Sequence, residues 1–368
     1  MSSVINGIKA MAPDLLIKYS VPGAAVSIVE NNETVLLQGF GSADLETNKP
    51  VDVNTLFQVA SISKTVTAFG ILKLVKQNKL DLDLPVNTFL KKWKLVGKNG
   101  LEKRVTIRFI LSHLAGLNSK IYSGYYSEKR SYDFESALNR LKIIIPPGKK
   151  FVYSGGGFSI LQQVIEDVTC VKFEDYMQEV LNELRMSDSF FDWKRLSEFK
   201  NVATPYNAFK VSLPNYIFPE MAAAGLYSTI SDMSNFLKAN LSCENSVIGD
   251  TRFLDLMQKR VIRNFPTGLG TFVFNFENQK IVTHSGVNRG FRSRLLVLPK
   301  LRSGVAVLTN SDNGENLIFD VIRFWINNKI KLKNSHFSKM NFSKKNRIRN
   351  FIESKVIDIK GGINLWKR

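Results

Sequence analysis

Ser61-Ile62-Ser63-Lys64 sets a hydroxyl and an amine three residues apart, a pairing whose chemistry would be nucleophilic attack by an activated serine. A serine hydroxyl is a poor nucleophile until a neighbouring base takes its proton, and a lysine serves as that base only where burial or nearby charge lowers its pKa. Leu56 to Ala60 is an apolar lead-in, and Val66, Phe69, Leu72 and Val75 follow at helical spacing, so Ser61 falls at a helix start. Residues three apart share a helix face, which puts Lys64 beside the Ser61 hydroxyl. The free amides and positive dipole end of the first turn favour negative charge at the seryl oxygen. The spacing by itself is common, since Ser197-Glu198-Phe199-Lys200 repeats it without the lead-in or the long amphipathic run. The plain alternative at either place is an N-cap serine followed by a solvated lysine.

Two further pieces carry compatible chemistry. Tyr153-Ser154-Gly155 follows Pro146-Pro147-Gly148 and Lys149-Lys150, and runs into Gly155-Gly156-Gly157 before FSILQQVIEDV returns to helical periodicity. A tyrosine in a loop beside a glycine run meets whatever binds there. Its phenol, with an ordinary pKa of about 10, works near neutrality if a cation such as Lys64 favours the phenolate. The alternative is an aromatic plug over a turn, and Tyr122-Ser123-Gly124 repeats the tripeptide with no helix behind it. His284 ends an expected strand, QKIVTH, and precedes Gly286 and a second strand, FRSRLLVLP. Glycine there lets a ligand backbone approach the strand edge, and the Val287 amide could donate to a developing oxyanion. The three histidines, His113, His284 and His336, are not spaced as a metal site.

The elements around these pieces alternate between strand and helix patterns. AAVSIV and TVLLQGF flank Asn31-Asn32 as a hairpin, and later strands are expected at GTFVFNF, KIVTH, RSRLLVLP and SGVAVLTN. ENLIFDVIRFWI has the apolar spacing of a closing helix; IRFILSHL, FSILQQVIEDV, FEDYMQEVLNEL and SDMSNFLKANL read as helices between the two strand groups. Ser231 and Asp232 are the expected cap of the last of these. The chain has 368 residues, 44% of them apolar, which suffices for a large core and, on length alone, about two domains. Cys170 and Cys243 are too few for a disulfide framework and are expected to be buried packing residues. The first thirty residues, interrupted by Lys9, Asp14 and Lys18, lack a signal-peptide core, so the sequence as written reads as cytoplasmic, export by another route remaining open.

Charge is uneven. The formal net charge is +19, and residues 329–368 alone hold 12 Lys or Arg against 2 acidic residues. Interleaved with Phe337, Phe342, Phe351 and Trp366, that basic extension suits an anionic membrane or polymer surface, whereas the plain reading is a solvated Lys-rich and Asn-rich tail. Nothing in the pattern requires nucleic acid.

Taken together the residues resemble the serine β-lactamase and penicillin-binding-protein-like superfamily, in particular its class C β-lactamase-like serine hydrolases. PGAAVSIVENNETVLLQGFGSAD is similar to that family's opening hairpin, LFQVASISKTVTA to its nucleophile segment, and TIRFILSHLAGL to the helix and turn that follow. PPGKKFVYSGGGFSILQQVIEDVT is similar to its second-motif region, PEMAAAGLYSTISDMSNFL to a late glycine turn and helix, and HSGVNRGFRSRLLVLPKLRSGVAVLTNSDNG to its closing strands. The likeness implies an α+β fold, an α/β sandwich lobe with an antiparallel sheet flanked by helices plus an inserted helical lobe. Residues 1–330 would form this two-lobed hydrolase domain and 331–368 the basic extension.

By the same resemblance Ser61 is acylated, Lys64 shares its proton, Tyr153 is the general base, and His284 stands where relatives carry Lys, Arg or His. The amides of Ser61 and Val287 would form the oxyanion hole, Gly155, Ser285 and Gly286 would line the substrate, and no metal or organic cofactor is needed. Gly155 replaces the asparagine usual in class C β-lactamases and D,D-peptidases, which removes a side-chain amide for an acylamino carbonyl. The expected activity is therefore hydrolysis of an ester or amide of a small molecule or short peptide, with β-lactamase or D,D-/D-amino-acid peptidase as the alternative. A catalytically silent binding protein is opposed by the presence of Ser61, Lys64, Tyr153 and His284 together. Oligomeric state is not legible.

Overall fold

The structure is a computed structural model that describes residues 2–118, 134–242, 249–276 and 278–330. Tyr122-Ser123-Gly124, Cys243, His336 and the basic extension from residue 331 lie outside those residues. The chain opens on a helix that the sequence reading did not anticipate, α1 (Ser2–Lys18). Ile5, Ile8, Ala12, Leu15 and Leu16 form its apolar stripe. The hairpin of β1 (Gly23–Glu30) and β2 (Glu33–Asp44) follows, and Asn31 and Asn32 both take left-handed φ, 50° and 69°, as a two-residue turn of this hand requires. Short strands β3 (Lys49–Pro50) and β4 (Phe57–Gln58) then lead to α2 (Ile62–Lys76).

The middle of the chain is mostly helical: α3 (Ile107–Leu111), α4 (Phe134–Asn139), α5 (Gly155–Thr169), α6 (Phe173–Glu183) and the single turn α7 (Met221–Ala224). β5 (Tyr227–Ser228) pairs with β4, and α8 (Ile230–Leu241) and α9 (Thr251–Met257) complete this part. The chain then returns to strands: β6 (Phe272–Phe276), β7 (Gln279–Asn288), β8 (Phe291–Leu298) and β9 (Ser303–Thr309), closed by α10 (Gly314–Lys329). Seven strands form one antiparallel sheet in the order β3-β2-β1-β9-β8-β7-β6. Among the described residues no helix is long and apolar enough to cross a membrane.

Alternation along the central strands assigns each sheet face to a different core. Val26 and Ile28 of β1 with Val305 and Val307 of β9 pack under α1 and α10 around Trp325. Ala25, Val29, Ala306 and Leu308 face the other way, into a larger core with Phe57, Ile62, Val66 and Phe69. The expected arrangement of an antiparallel sheet flanked by helices is what the structure has.

Four local expectations need correction. The Gly155-Gly156-Gly157 run is the first turn of α5 rather than a loop, because the Ser154 hydroxyl accepts from the Gly157 amide as N-cap. IRFILSHL stops being helical at Leu111, since His113 takes a left-handed φ of 58°. Thr229, not Ser231 or Asp232, caps α8 by accepting from the Asp232 amide; the buried Asp232 carboxylate instead accepts from Ser189 Oγ and the Asp188 amide. Cys170 is exposed, sitting left-handed at the C-terminal end of α5, where a side chain points away from the core.

Candidate active site

The approach to Ser61 is tightly held before any side chain is considered. The Val59 amide donates to Leu226 O, and Ser293 Oγ of β8 donates to Val59 O at 2.8 Å. Ala60 then takes a left-handed φ of 50°, an uncommon conformation for an alanine, and turns the chain sharply into α2. Ser61 stands at the cap position with helical dihedrals but makes no side-chain cap bond, which leaves its hydroxyl for other partners. The second serine of the motif is occupied: Ser63 Oγ donates to Ala60 O at 2.5 Å and accepts from the Leu226 amide. That contrast singles out Ser61 chemically.

Lys64 reaches back along the same helix face, its Nζ 3.1 Å from Ser61 Oγ and 2.6 Å from Ala223 O of α7. It is fully buried, and burial pushes its pKa down from 10.5 to about 7. Near neutrality a large fraction of this amine is therefore uncharged and able to accept a proton. The surface copy of the spacing differs in every respect, since Ser197 and Lys200 are exposed and Ser197 Oγ donates to Lys194 O.

Tyr153 enters from the residue preceding the α5 cap. Its half-buried ring lies 5.1 Å from Lys64 Nζ and 6.3 Å from the ring of His284. His284, buried in β7, has Nδ1 at 2.8 Å from Ser285 O; a carbonyl only accepts, so Nδ1 carries the proton. Burial, reinforced by the charge of Lys64, pushes its pKa down to about 3, so the imidazole is neutral and acts as a dipole rather than as a cation. The four side chains proposed from the sequence thus come together from α2, the α5 cap and β7.

The strand that carries His284 does not end there. β7 continues to Asn288, pairing Gly286 with Ser293 and Val287 with Arg292. Gly286 makes this possible: a Cβ on it would lie 2.2 Å from Val59 O and 3.0 Å from Ala60 Cβ. The backbone on either side of Val287 is therefore pressed against the nucleophile turn, and its side chain points outward, 58% exposed. Asn288 Nδ2 closes the arrangement by donating to Gln58 Oε1 at 2.8 Å and to Ala224 O at 3.3 Å. Gly155 lies in the first turn of α5, directly after the Tyr153–Ser154 corner.

Two residues of this cluster were not proposed from the sequence. Phe272 of β6 lies against Tyr153, His113 and His284, with ring centroids 6.3, 6.5 and 5.3 Å away. His113 packs on Tyr153 at 4.3 Å. No periodicity marks either one, because their place depends on a left-handed turn and on a strand register.

The comparisons show the family and the fold. A family model described as Beta-lactamase matches residues 8–321, and the chain belongs to that family. Protein flp of Staphylococcus aureus (strain MW2) is 25% identical over 308 residues, covering 80% of this chain and 60% of its own. The human mitochondrial serine beta-lactamase-like protein LACTB is 24% identical over 307 residues, covering 61% of this chain and 54% of its own. This chain thus spans roughly 60% of the length of the first of these relatives and less of the second. Among solved structures, the octameric penicillin-binding protein homologue from Pyrococcus abyssi superimposes with a TM-score of 0.74 at 25% identity, covering 89% of this chain and 82% of that one.

Proposed function

We propose that this chain is a serine hydrolase that cleaves an ester or amide bond of a small molecule or short peptide through an acyl-enzyme on Ser61. The observation that carries the reading is the buried Lys64 amine, 3.1 Å from Ser61 Oγ with a pKa near 7. In the reaction, the Lys64 and Tyr153 pair takes the Ser61 proton as Oγ bonds to the substrate carbonyl carbon. The resulting oxyanion rests on the amides of Ser61 and Val287. Tyr153 passes the proton to the leaving group as its bond to carbon breaks. Water then attacks the acyl-enzyme, gives its proton to the same pair, and the acid departs as Ser61 regains its hydrogen.

Substrate preference follows from two differences in polarity. Gly155 offers no side-chain amide to an acylamino carbonyl, and the neutral His284 places no fixed cation for a substrate carboxylate. Both favour esters and simple amides. Treatment with a fluorophosphonate is expected to add one covalent adduct that maps to Ser61 and is lost in Ser61→Ala. An unlabelled wild-type protein, or a Ser61→Ala variant with full turnover, overturns the proposal.

The family match and the likeness to a penicillin-binding protein homologue favour a second reading, β-lactamase or D,D-/D-amino-acid peptidase. Side-by-side hydrolysis of a chromogenic cephalosporin and a short-chain nitrophenyl ester separates the two. The ester is expected to turn over faster.

A further inference from the structure

We infer that His113 is the positioning residue for Tyr153, clamping the backbone on both sides of it and backing its ring. The clamp has three parts. The Val152 amide donates to His113 O at 3.0 Å, the Ser154 amide donates to His113 Nδ1 at 3.1 Å, and the imidazole lies 4.3 Å from the Tyr153 ring at 35°. The residues immediately before and after Tyr153 are thus tied to one side chain and its own carbonyl. The inference rests on the proposed role of Tyr153 as the proton-transfer group.

Several features are hard to account for if His113 only fills core volume. Its backbone is left-handed, φ 58°, and is fixed by bonds from its own amide to Ile110 O and from the Leu114 amide to Phe109 O. That turn is what allows carbonyl and ring to face the same segment. Because Nδ1 accepts, the ring proton must sit on Nε2, and among the described residues that buried N–H meets no acceptor. Burial holds the pKa well below the usual histidine value, so the ring remains an acceptor wherever the enzyme would work.

The remaining groups facing the ring are consistent with a fixed scaffold. Phe151 and Phe158 contact its other edges, with centroids 6.0 and 5.5 Å away. Lys64 and His284 both lie close enough to disfavour its protonation. Ser154 is held a second time, its hydroxyl donating to Asn118 O at 2.8 Å. Releasing the His113 bond therefore frees the amide of Ser154 while its side chain stays anchored. The expected consequence is a rotation or shift of Tyr153 and not a loss of the α5 cap.

The test compares two substitutions that both tolerate a left-handed backbone. His113→Asn keeps an acceptor, Oδ1, near the position of Nδ1, whereas His113→Gly removes it. Full-length proteins are assayed for kcat and KM on a short-chain nitrophenyl ester across pH, with melting midpoints, and with Ser61→Ala and Tyr153→Phe as controls. The Gly variant is expected to lose at least about 30-fold in kcat with KM within about 3-fold, and the Asn variant to stay within about 5-fold of wild type, the scale of a small misplacement of a reacting group. Equal losses in both variants, or no loss in either, overturn the inference. Should the Gly variant fail to fold, an Asn variant as inactive as Tyr153→Phe overturns it on its own. If Ser61→Ala and Tyr153→Phe abolish turnover while His113→Gly keeps the kcat of wild type, only the role of His113 fails. If those two controls retain turnover, the hydrolase proposal falls and this one with it.

Discussion

At Lys64 the chemistry and the stability of the protein are set against each other. An unfolded chain would hold this proton until about pH 10.5, while the folded protein releases it near 7. Between those values the unfolded state binds more protons, so stability rises with pH across the window; below 7 both states are protonated and the full cost of burying the ammonium is present. Lys64→Met is therefore expected to be more stable than wild type at pH 6.5, with the difference shrinking by at least about 1 kcal/mol by pH 9.5. Urea unfolding at several pH values measures this, and a difference that does not change with pH contradicts the assigned shift. The same proton predicts an acid limb in kcat/KM centred near pH 7, with no limb from His284, which is already neutral there. That Ser61, Lys64, Tyr153 and His284 lie near one another was legible because each sits in a short segment with its own local signal. The place of His113 was not, since its contacts come from a backbone turn and from two amides about forty residues further along, which no local pattern encodes.

At the level of elements, the site depends on how closely β7 can approach the turn before α2. Gly286 is the point of contact, and an added methyl has nowhere to go: Val59 O and Ser293 Oγ each lie 2.2 Å from its position, and the first is backbone. Gly286→Ala must push β7 away from Val59 and Ala60, which separates the Val287 amide from Ser61. We expect the rate of fluorophosphonate labelling to fall by about 100-fold or more, as for loss of an oxyanion donor, along with a lower melting midpoint. Val287→Ala is the matched control, because its side chain points to solvent and only its amide is proposed to act; labelling should stay within about 3-fold of wild type. Equal labelling rates for Gly286→Ala and wild type would remove β7 from the site. Strand alternation, helix spacing and the Asn31-Asn32 turn were readable from sequence. The continuation of β7 past His284 was not, because a glycine inside a strand signals an ending unless its close neighbour is known. The cap of α8 was misplaced by the same kind of ambiguity, since Thr229, Ser231 and Asp232 are all good caps and only packing of Asp232 against Ser189 decides among them.

For the molecule as a whole, the order β3-β2-β1-β9-β8-β7-β6 places a strand from near the start of the chain beside one from near residue 300, in the middle of the sheet. The segments that lead Ser61 into α2 and Tyr153 into α5 come from the chain between, so the site exists only after distant parts of the chain have met. Among the described residues α1 and α10 are the helices that cover one face of that sheet, and α1 contributes Ile8, Ala12, Leu15 and Leu16 to the buried cluster around Trp325. Burying four such side chains is worth on the order of 5 kcal/mol, comparable with the whole net stability of an ordinary domain. Deleting residues 2–18 is therefore expected to do more than trim an end. It uncovers Val26, Ile28, Val305 and Val307 on the two central strands, and through β9 and β8 it loosens the register that sets β7 against the nucleophile turn. The shortened protein should bind an apolar-surface dye, melt at a markedly lower temperature or fail to remain soluble, and label slowly with fluorophosphonate even where a folded fraction survives. A shortened protein that melts and labels like the full chain would show that α1 only lies on the sheet, and that the unassisted outer face of β1 and β9 can hold the site together.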